Sequence, residues 1–146
     1  MICLNLRPGE RVSREVSNPS DLFNSVQYGF SQVALAKGSR MISVSGQVAW
    51  DAGQQIVGKG DIYAETVKTI ENLQVALRSV SAGLDDVIGL RIYIVDYDRV
   101  VDSDLISKAL LQFFPKGQAP TATWIGVASL ANPDFRIEIE ATAVTD

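Results

Sequence analysis

FRIEIEATAV, residues 135–144, decides how this chain folds. Phe135, Ile137, Ile139 and Ala141 alternate with Arg136, Glu138, Glu140 and Thr142. A period of two is the signature of a strand with one apolar and one polar face. Such a strand needs a core on one side and water or a second covering surface on the other. Working outward, DVIGLRIYIVD (86–96) repeats the pattern, with Ile88, Leu90, Ile92 and Ile94 facing Arg91 and Tyr93 across the strand. RMISVSGQVAW (40–50) does so too: Ile42, Val44, Val48 and Trp50 alternate with Ser43, Ser45 and Gln47, which puts Gly46 on the apolar side. Glycine weakens a strand, so Gly46 suggests a close approach by another backbone or a ligand. QAPTATWIGVASL (118–130) is a fourth strand, with Ala122 and Trp124 one way and Thr121, Thr123 and Ile125 the other. It looks like a pocket wall, yet it holds nothing that could grip an ionic substrate.

Between these strands the period changes to that of a helix. Asp61 is an N-cap candidate, and Val67, Ile70, Leu73, Leu77 and Val80 form one apolar stripe through about Ser81, with Gly83 as the stop. A second helix runs from about Asp98 to Phe114 on Leu105, Ile106, Ala109, Leu110, Phe113 and Phe114, and Pro115 ends it. Leu4 and Leu6 suggest a short first strand. The stretch REVSNPSDLFNSV, from Arg14 to Val26, reads as the loosest part, and residues 51–61 read as a loop. The order of strands, helix, strand, helix, two strands predicts an α+β sandwich: a mixed sheet with two single-striped helices on one face. The other face carries Ser45, Arg91, Tyr93, Glu138 and Glu140. Copies of the same chain are the economical cover for it.

The 146 residues fit one domain, 1–146, with a core large enough to need no staples. The formal charge of −4 repels phosphate backbones, which disfavours nucleic acid as a partner. Cys3 is the single cysteine, so no internal disulfide forms, in keeping with a reducing cytoplasm. No histidine is present, which removes the commonest general base and the commonest zinc ligand together. No metal or cofactor is implied. The first residues lack the pattern of a signal peptide, and no apolar run approaches a membrane span.

Glu138 and Glu140 are the acid–base candidates, since their spacing places both on one strand face. The competing reading is a salt bridge with Arg91 or Arg136, from the same or another subunit. Ser45-Gly46-Gln47 can offer a hydroxyl and backbone amides to a ligand, or can be a polar strand face with a bulge-prone glycine. Thr121 and Thr123 read as β-branched strand formers more than as ligand contacts, and Trp124 as packing. GKG at 58–60 lacks the spacing of a phosphate loop.

FSQV (30–33), VSGQV (44–48), ENLQVAL (71–77), GLDDVIGLRIYIVD (83–96), FFPKGQAPTAT (113–123) and RIEIEATAV (136–144) together resemble the YjgF/RidA family of reactive-intermediate deaminases, also called L-PSP endoribonuclease-like. The resemblance covers about residues 28–144. It implies a chorismate-mutase-like fold assembled as a homotrimer, with sheets lining a central barrel and small-molecule clefts between subunits. In deaminating members a proline–alanine–arginine–serine stretch grips the carboxylate of a 2-imino acid through paired N–H bonds. Here Pro120-Thr121-Ala122-Thr123 puts Ala122 at the arginine position, and Trp124 replaces a small residue two places later. Phe30 stands where the family has a cleft tyrosine, and Asp104 where it often has asparagine. Ser45, Gly46 and Glu138 match, the last being the glutamate proposed to orient the attacking water. The resemblance therefore implies an arginine-lacking branch. Its members would hydrolyse an imine, enamine or related small metabolite that is not a standard 2-imino acid. The alternative is a non-catalytic trimer that binds a small molecule. RNA cleavage, the old family label, is opposed by the acidic charge and the missing histidine.

Overall fold

The computed structural model describes residues 14–146, so Leu4, Leu6 and Cys3 lie outside the described residues. In chain order the elements are β1 (Glu15–Ser17), a 3-10 turn (Val26–Tyr28), β2 (Val33–Leu35), β3 (Arg40–Gln47), α1 (Ile62–Arg78), a second 3-10 turn (Leu84–Asp86), β4 (Val87–Val95), α2 (Val101–Phe113), β5 (Thr121–Val127) and β6 (Ile137–Thr145). The main sheet has the order β3-β6-β4-β5. Strands β4 and β5 run parallel, and the β3/β6 and β4/β6 pairs are antiparallel. The expected α+β fold with two helices and a mixed sheet is what forms.

The core lies between the helices and one face of this sheet. Ile70, Leu73 and Leu77 of α1 and Ile106 and Leu110 of α2 meet Ile92 and Ile94 of β4 and Ile137 and Ile139 of β6, all almost fully buried. Burial of each such side chain contributes about 1.5–3 kcal/mol, which fixes the face that every strand turns inward. Asp61 caps α1 as expected, its carboxylate accepting the Tyr63 and Ala64 amides at 3.0 and 3.1 Å. Asn72, from the ENL stretch, donates through one amide nitrogen to the carbonyls of Val48 (2.8 Å) and Trp50 (2.7 Å), tying α1 to the segment that follows β3.

Four expectations shift. The alternation of residues 40–50 breaks at a bulge: Val44 pairs with Ala141, but Gln47 pairs with Ile139. Past it the phase inverts, so Ala49 (2% exposed) is buried while Val48 and Trp50 are half-buried. A second irregularity between Val87 and Gly89 buries Val87 in place of Ile88. Helix α1 ends at Arg78 with Ser81 in the left-handed region (φ 61°), while Gly83 is extended. The Ser81 amide donates to Arg78 O and the Ala82 amide to Leu77 O, a Schellman closure that leaves Val80 39% exposed. The stretch from Arg14 to Val26 contains β1, paired antiparallel with β2, and Arg14 anchors it by donating to the carbonyls of Leu84, Asp85, Val87 and Gln118.

The buried side of α1 also includes Glu65, which the apolar stripe did not reveal. Its carboxylate accepts the Gly60 amide at 2.9 Å and the Arg136 amide at 3.4 Å, so the GKG loop serves a buried acid and not a phosphate. Burial raises the Glu65 pKa, and the two amides act in the opposite direction. Its stabilising contribution is therefore complete below the ordinary carboxylate range and is lost as pH rises through the raised value. Glu65→Ala leaves two amides without their acceptor and should cost about 1–3 kcal/mol in urea unfolding. Glu65→Gln, which keeps an acceptor without the charge, should flatten the decline of the urea midpoint as pH rises from the carboxylate range to neutral. An unchanged pH profile would mean that Glu65 titrates normally.

Candidate functional site

The polar face of the sheet is built on the register of β4 against β6, where Tyr93 sits opposite Glu138 and Arg91 opposite Glu140. The two glutamates differ sharply. Glu140 Oε1 accepts from Arg91 Nη1 at 3.0 Å and from the Tyr93 hydroxyl at 2.9 Å. Those bonds, Arg91 first and Tyr93 second, lower the Glu140 pKa, while Tyr93 is raised chiefly by its bond to the same carboxylate. Glu140 is thus the salt-bridge partner anticipated for Arg91, within one chain. Arg136 instead pairs with the buried Asp102 at 2.9 Å. Among the described residues Glu138 makes no side-chain hydrogen bond or ion pair, and is half-buried.

Gly46 is where β3 meets Glu138. A β-carbon built there would fall on the Glu138 carboxyl group, with Cγ and Cδ both 2.7 Å away. The bulge turns Gly46 toward the polar face, not the apolar one. Within the described chain, the close approach at this glycine is made by an acidic side chain and not by another backbone. Ser45 beside it is exposed. Thr123 lies on the same polar face, opposite Arg91.

The remaining expected site residues lie elsewhere. Ala122 pairs with Leu90 and Trp124 with Ile92, so both face the helix side of the sheet and pack against the core. Phe30 joins them: its ring centroid is 6.5 Å from that of Trp124 and 6.2 Å from that of Phe23. The Ser31 amide donates to Pro120 O at 2.9 Å, which holds this segment beside the start of β5. The Trp124 indole nitrogen is buried without a partner among the described residues. Asp104 projects from α2 into solvent. One chain therefore brings Ser45, Gly46, Thr123 and Glu138 to one sheet face, and Phe30, Ala122 and Trp124 to the other. The division follows from strand parity, since residues 122 and 123 must point oppositely. The Arg91–Glu140–Tyr93 cluster was visible only as three polar residues on the same face, and its pairing needed the register.

This α+β sandwich, with an acid against a strand glycine on its polar face, has close counterparts among known proteins. Residues 24–145 match the family described as Endoribonuclease L-PSP. A RutC family protein of Pyrococcus abyssi is 30% identical over 107 residues, 73% of this chain and 80% of its own. The structure resembles that of YyfB of Yersinia pestis, a protein of unknown function of the conserved Rid family, with TM-score 0.85 and 36% identity over 90% of this chain and 98% of that one. A Mycobacterium tuberculosis member of the YjgF/YER057c/UK114 family aligns with TM-score 0.61 and 25% identity, covering 90% of this chain and 99% of the other. The chain belongs to the YjgF/Rid (L-PSP) family.

Gly46→Ala should drive Glu138 into another rotamer at a cost of roughly 1 kcal/mol, the scale of a strained side chain. In a double-mutant cycle, Glu138→Ala should relieve that cost. Additive effects of the two substitutions would show that the contact between them is not the constraint. Tyr93→Phe should raise the Glu140 pKa in a carboxyl-carbon NMR titration, because one of the two bonds favouring the ionised form is gone.

Proposed function

We propose that this protein is a cytoplasmic homotrimeric hydrolase of small imines or enamines, from an arginine-lacking branch of its family. Each 146-residue chain acts as one domain. The observation that carries this reading is the Glu138 carboxylate, which has no partner among the described residues and is held against Gly46. Facing residues from two copies complete the cleft. Glu138, Gly46 and Ser45 come from one sheet face, and Phe30, Ala122 and Trp124 from the opposite side of a neighbour. Because β5 is an edge strand, Ala122 and Trp124 lie where a second chain can reach them.

In this mechanism water adds to the C=N carbon while Glu138 takes a proton from it. Glu138 returns that proton to the nitrogen to complete the carbinolamine, then carries the hydroxyl proton to the nitrogen as the C–N bond breaks, which releases ammonia or an amine and leaves a carbonyl product. The reaction is intrinsically facile, so positioning of water and substrate supplies most of the acceleration. Ala122 offers no cation, and a 2-imino acid loses a charge-assisted contact worth about 1.5–3 kcal/mol per hydrogen bond. The aromatic surface of Phe30 and Trp124 instead suits an uncharged, apolar imine substituent.

The test is ammonia release from imines generated in situ, with and without the protein. An uncharged imine should be hydrolysed faster in its presence, and a 2-imino acid should not. Glu138→Gln should lower the accelerated rate by about 10²-fold or more, the scale of a lost general acid–base group. Ala122→Arg should restore 2-imino acid turnover. An activity untouched by Glu138→Gln removes the mechanism, and binding of imine analogues with no turnover favours the non-catalytic trimer.

A further inference from the structure

Strands β3 and β6 meet at Gly46 and Glu138, and the chain just beyond that contact is fastened from the helix side of the sheet. β3 ends at Gln47 and runs into the loop of residues 48–60, while β6 begins at Ile137, one residue after Arg136. Glu65 of α1, only 1% exposed, reaches both stretches. Its Oε1 accepts the Gly60 amide at 2.9 Å, and its Oε2 accepts the Arg136 amide at 3.4 Å. Gly60 closes the loop, and Arg136 stands two residues before Glu138. Two further ties join the same stretches. The Trp50 and Phe135 rings meet edge to face with centroids 4.8 Å apart, and Lys59 Nζ lies 2.9 Å from Asp134 Oδ2. Gly58 lets the loop press on α1, since a β-carbon there would stand 2.5 Å from that of Ala64.

The other bonds of Arg136 give its position consequence. Its carbonyl accepts the Val95 amide at 2.9 Å. Its guanidinium donates to the carbonyls of Val95 and Asp96 and to the Asp102 carboxylate. The residue is thus fixed to β4 and α2 on one side, and its amide is turned toward Glu65 on the other. A change at Glu65 reaches Glu138 through two residues of continuous backbone. It reaches Gly46 through the loop that continues β3. The space between Gly46 and Glu138 is too small for a β-carbon, so a small shift of either strand end alters their contact.

We propose that Glu65 is a positioning residue for Glu138: by holding the Gly60 and Arg136 amides on one buried carboxyl group, it sets the spacing of the two strand ends that meet at Gly46 and Glu138. The effect on rate rests on the hydrolytic reading of Glu138, whereas the coupling itself is a property of the fold. Ionisation of Glu65 works against that hold. Burial disfavours the charged form and raises the pKa, the two amides and the Arg136 charge oppose this, and Asp61 at the start of α1 adds to it. Asp102, behind Arg136, and the Lys59–Asp134 pair on the two joined stretches are the other charges nearby. Lifting the loop returns the acid to water and to its ordinary range. The fastened arrangement is therefore fully favoured below the ordinary carboxylate range and loses ground as pH rises through the raised value.

NMR of the unaltered protein tests it without any substrate. Carboxyl-carbon resonances give the separate titrations of Glu65 and Glu138, and the amide resonances of Gly46 and Glu138 are followed over the same pH range. Both amides should step at the Glu65 titration as well as at that of Glu138. Hydrogen-exchange protection of the Gly60 amide should fall about threefold or more across the Glu65 step. In Glu65→Gln the extra step should vanish from Gly46 and Glu138 while the Glu138 titration remains, and Gly60 protection should no longer depend on pH. A rate measurement follows, using the imine that a flavin amine oxidase forms from benzylamine. Glu65→Ala, shown to be folded by thermal melt, should lower the accelerated rate about tenfold, the scale of a misplaced group, and Glu65→Gln should recover most of it. The proposal is overturned if Gly46 and Glu138 follow the Glu138 titration alone, or if the extra step persists in Glu65→Gln. An accelerated rate unchanged in folded Glu65→Ala overturns it as well. If the unaltered protein hydrolyses no imine, the hydrolytic reading falls, and the two-step titration still establishes the coupling.

Discussion

Ile137, Ile139, Ala141 and Ala143 press one side of β6 into the core, and this inner strand is hydrogen-bonded on both edges, to β3 and to β4. Burial of the odd-numbered residues forces Glu138, Glu140 and Thr142 to the opposite face. A slip of one residue would bury two carboxylates and expose two isoleucines, so the register tolerates no alternative. The placement of every polar group discussed above descends from that constraint. Glu140 meets Arg91 and Tyr93, and Glu138 meets Gly46, because β4 and β3 must pair with a β6 whose phase is already set.

The two glutamates show how a single strand face separates roles. Glu140 accepts two hydrogen bonds and belongs to a charge-neutral cluster. Glu138 has none among the described residues and is kept in position by the space that Gly46 leaves open. An acid whose Oε1 accepts from an arginine and a phenol is a poorer proton acceptor for those two bonds, which favour its ionised form. The same spacing that made both residues candidates therefore says nothing about which of them is free to react.

Beneath the helices, polar groups also organise the fold. Asp102 pairs with Arg136 and accepts the Asp98 amide, while Asp98 accepts the amides of Val100 and Val101 at the start of α2. Glu65 ties the loop before α1 to the start of β6. These contacts join helix beginnings to the strand that sets the phase of the sheet. They place buried carboxylates where amides and a guanidinium would otherwise lack partners.

Much of this was legible in the chain alone. Period-two alternation in residues 86–96 and 135–144, and the helical stripes between strands, follow from burial of apolar side chains, a local property that sequence spacing expresses directly. The cap at Asp61 and the opposed faces of Ala122 and Thr123 are equally local. What the tertiary structure alone decided depends on partners distant in sequence. The bulge at Ser45-Gly46 inverts Val48 and Trp50 because β3 must keep step with β6. The stop of α1 falls on Ser81 because the following segment returns toward the core at Ala82 and Leu84. β1 exists because β2 lies beside it. Glu140 and not Glu138 takes Arg91 because cross-strand register pairs residues 49 apart. Alternation tells which face a residue occupies, but which residue it meets there is set only when the strands are laid side by side.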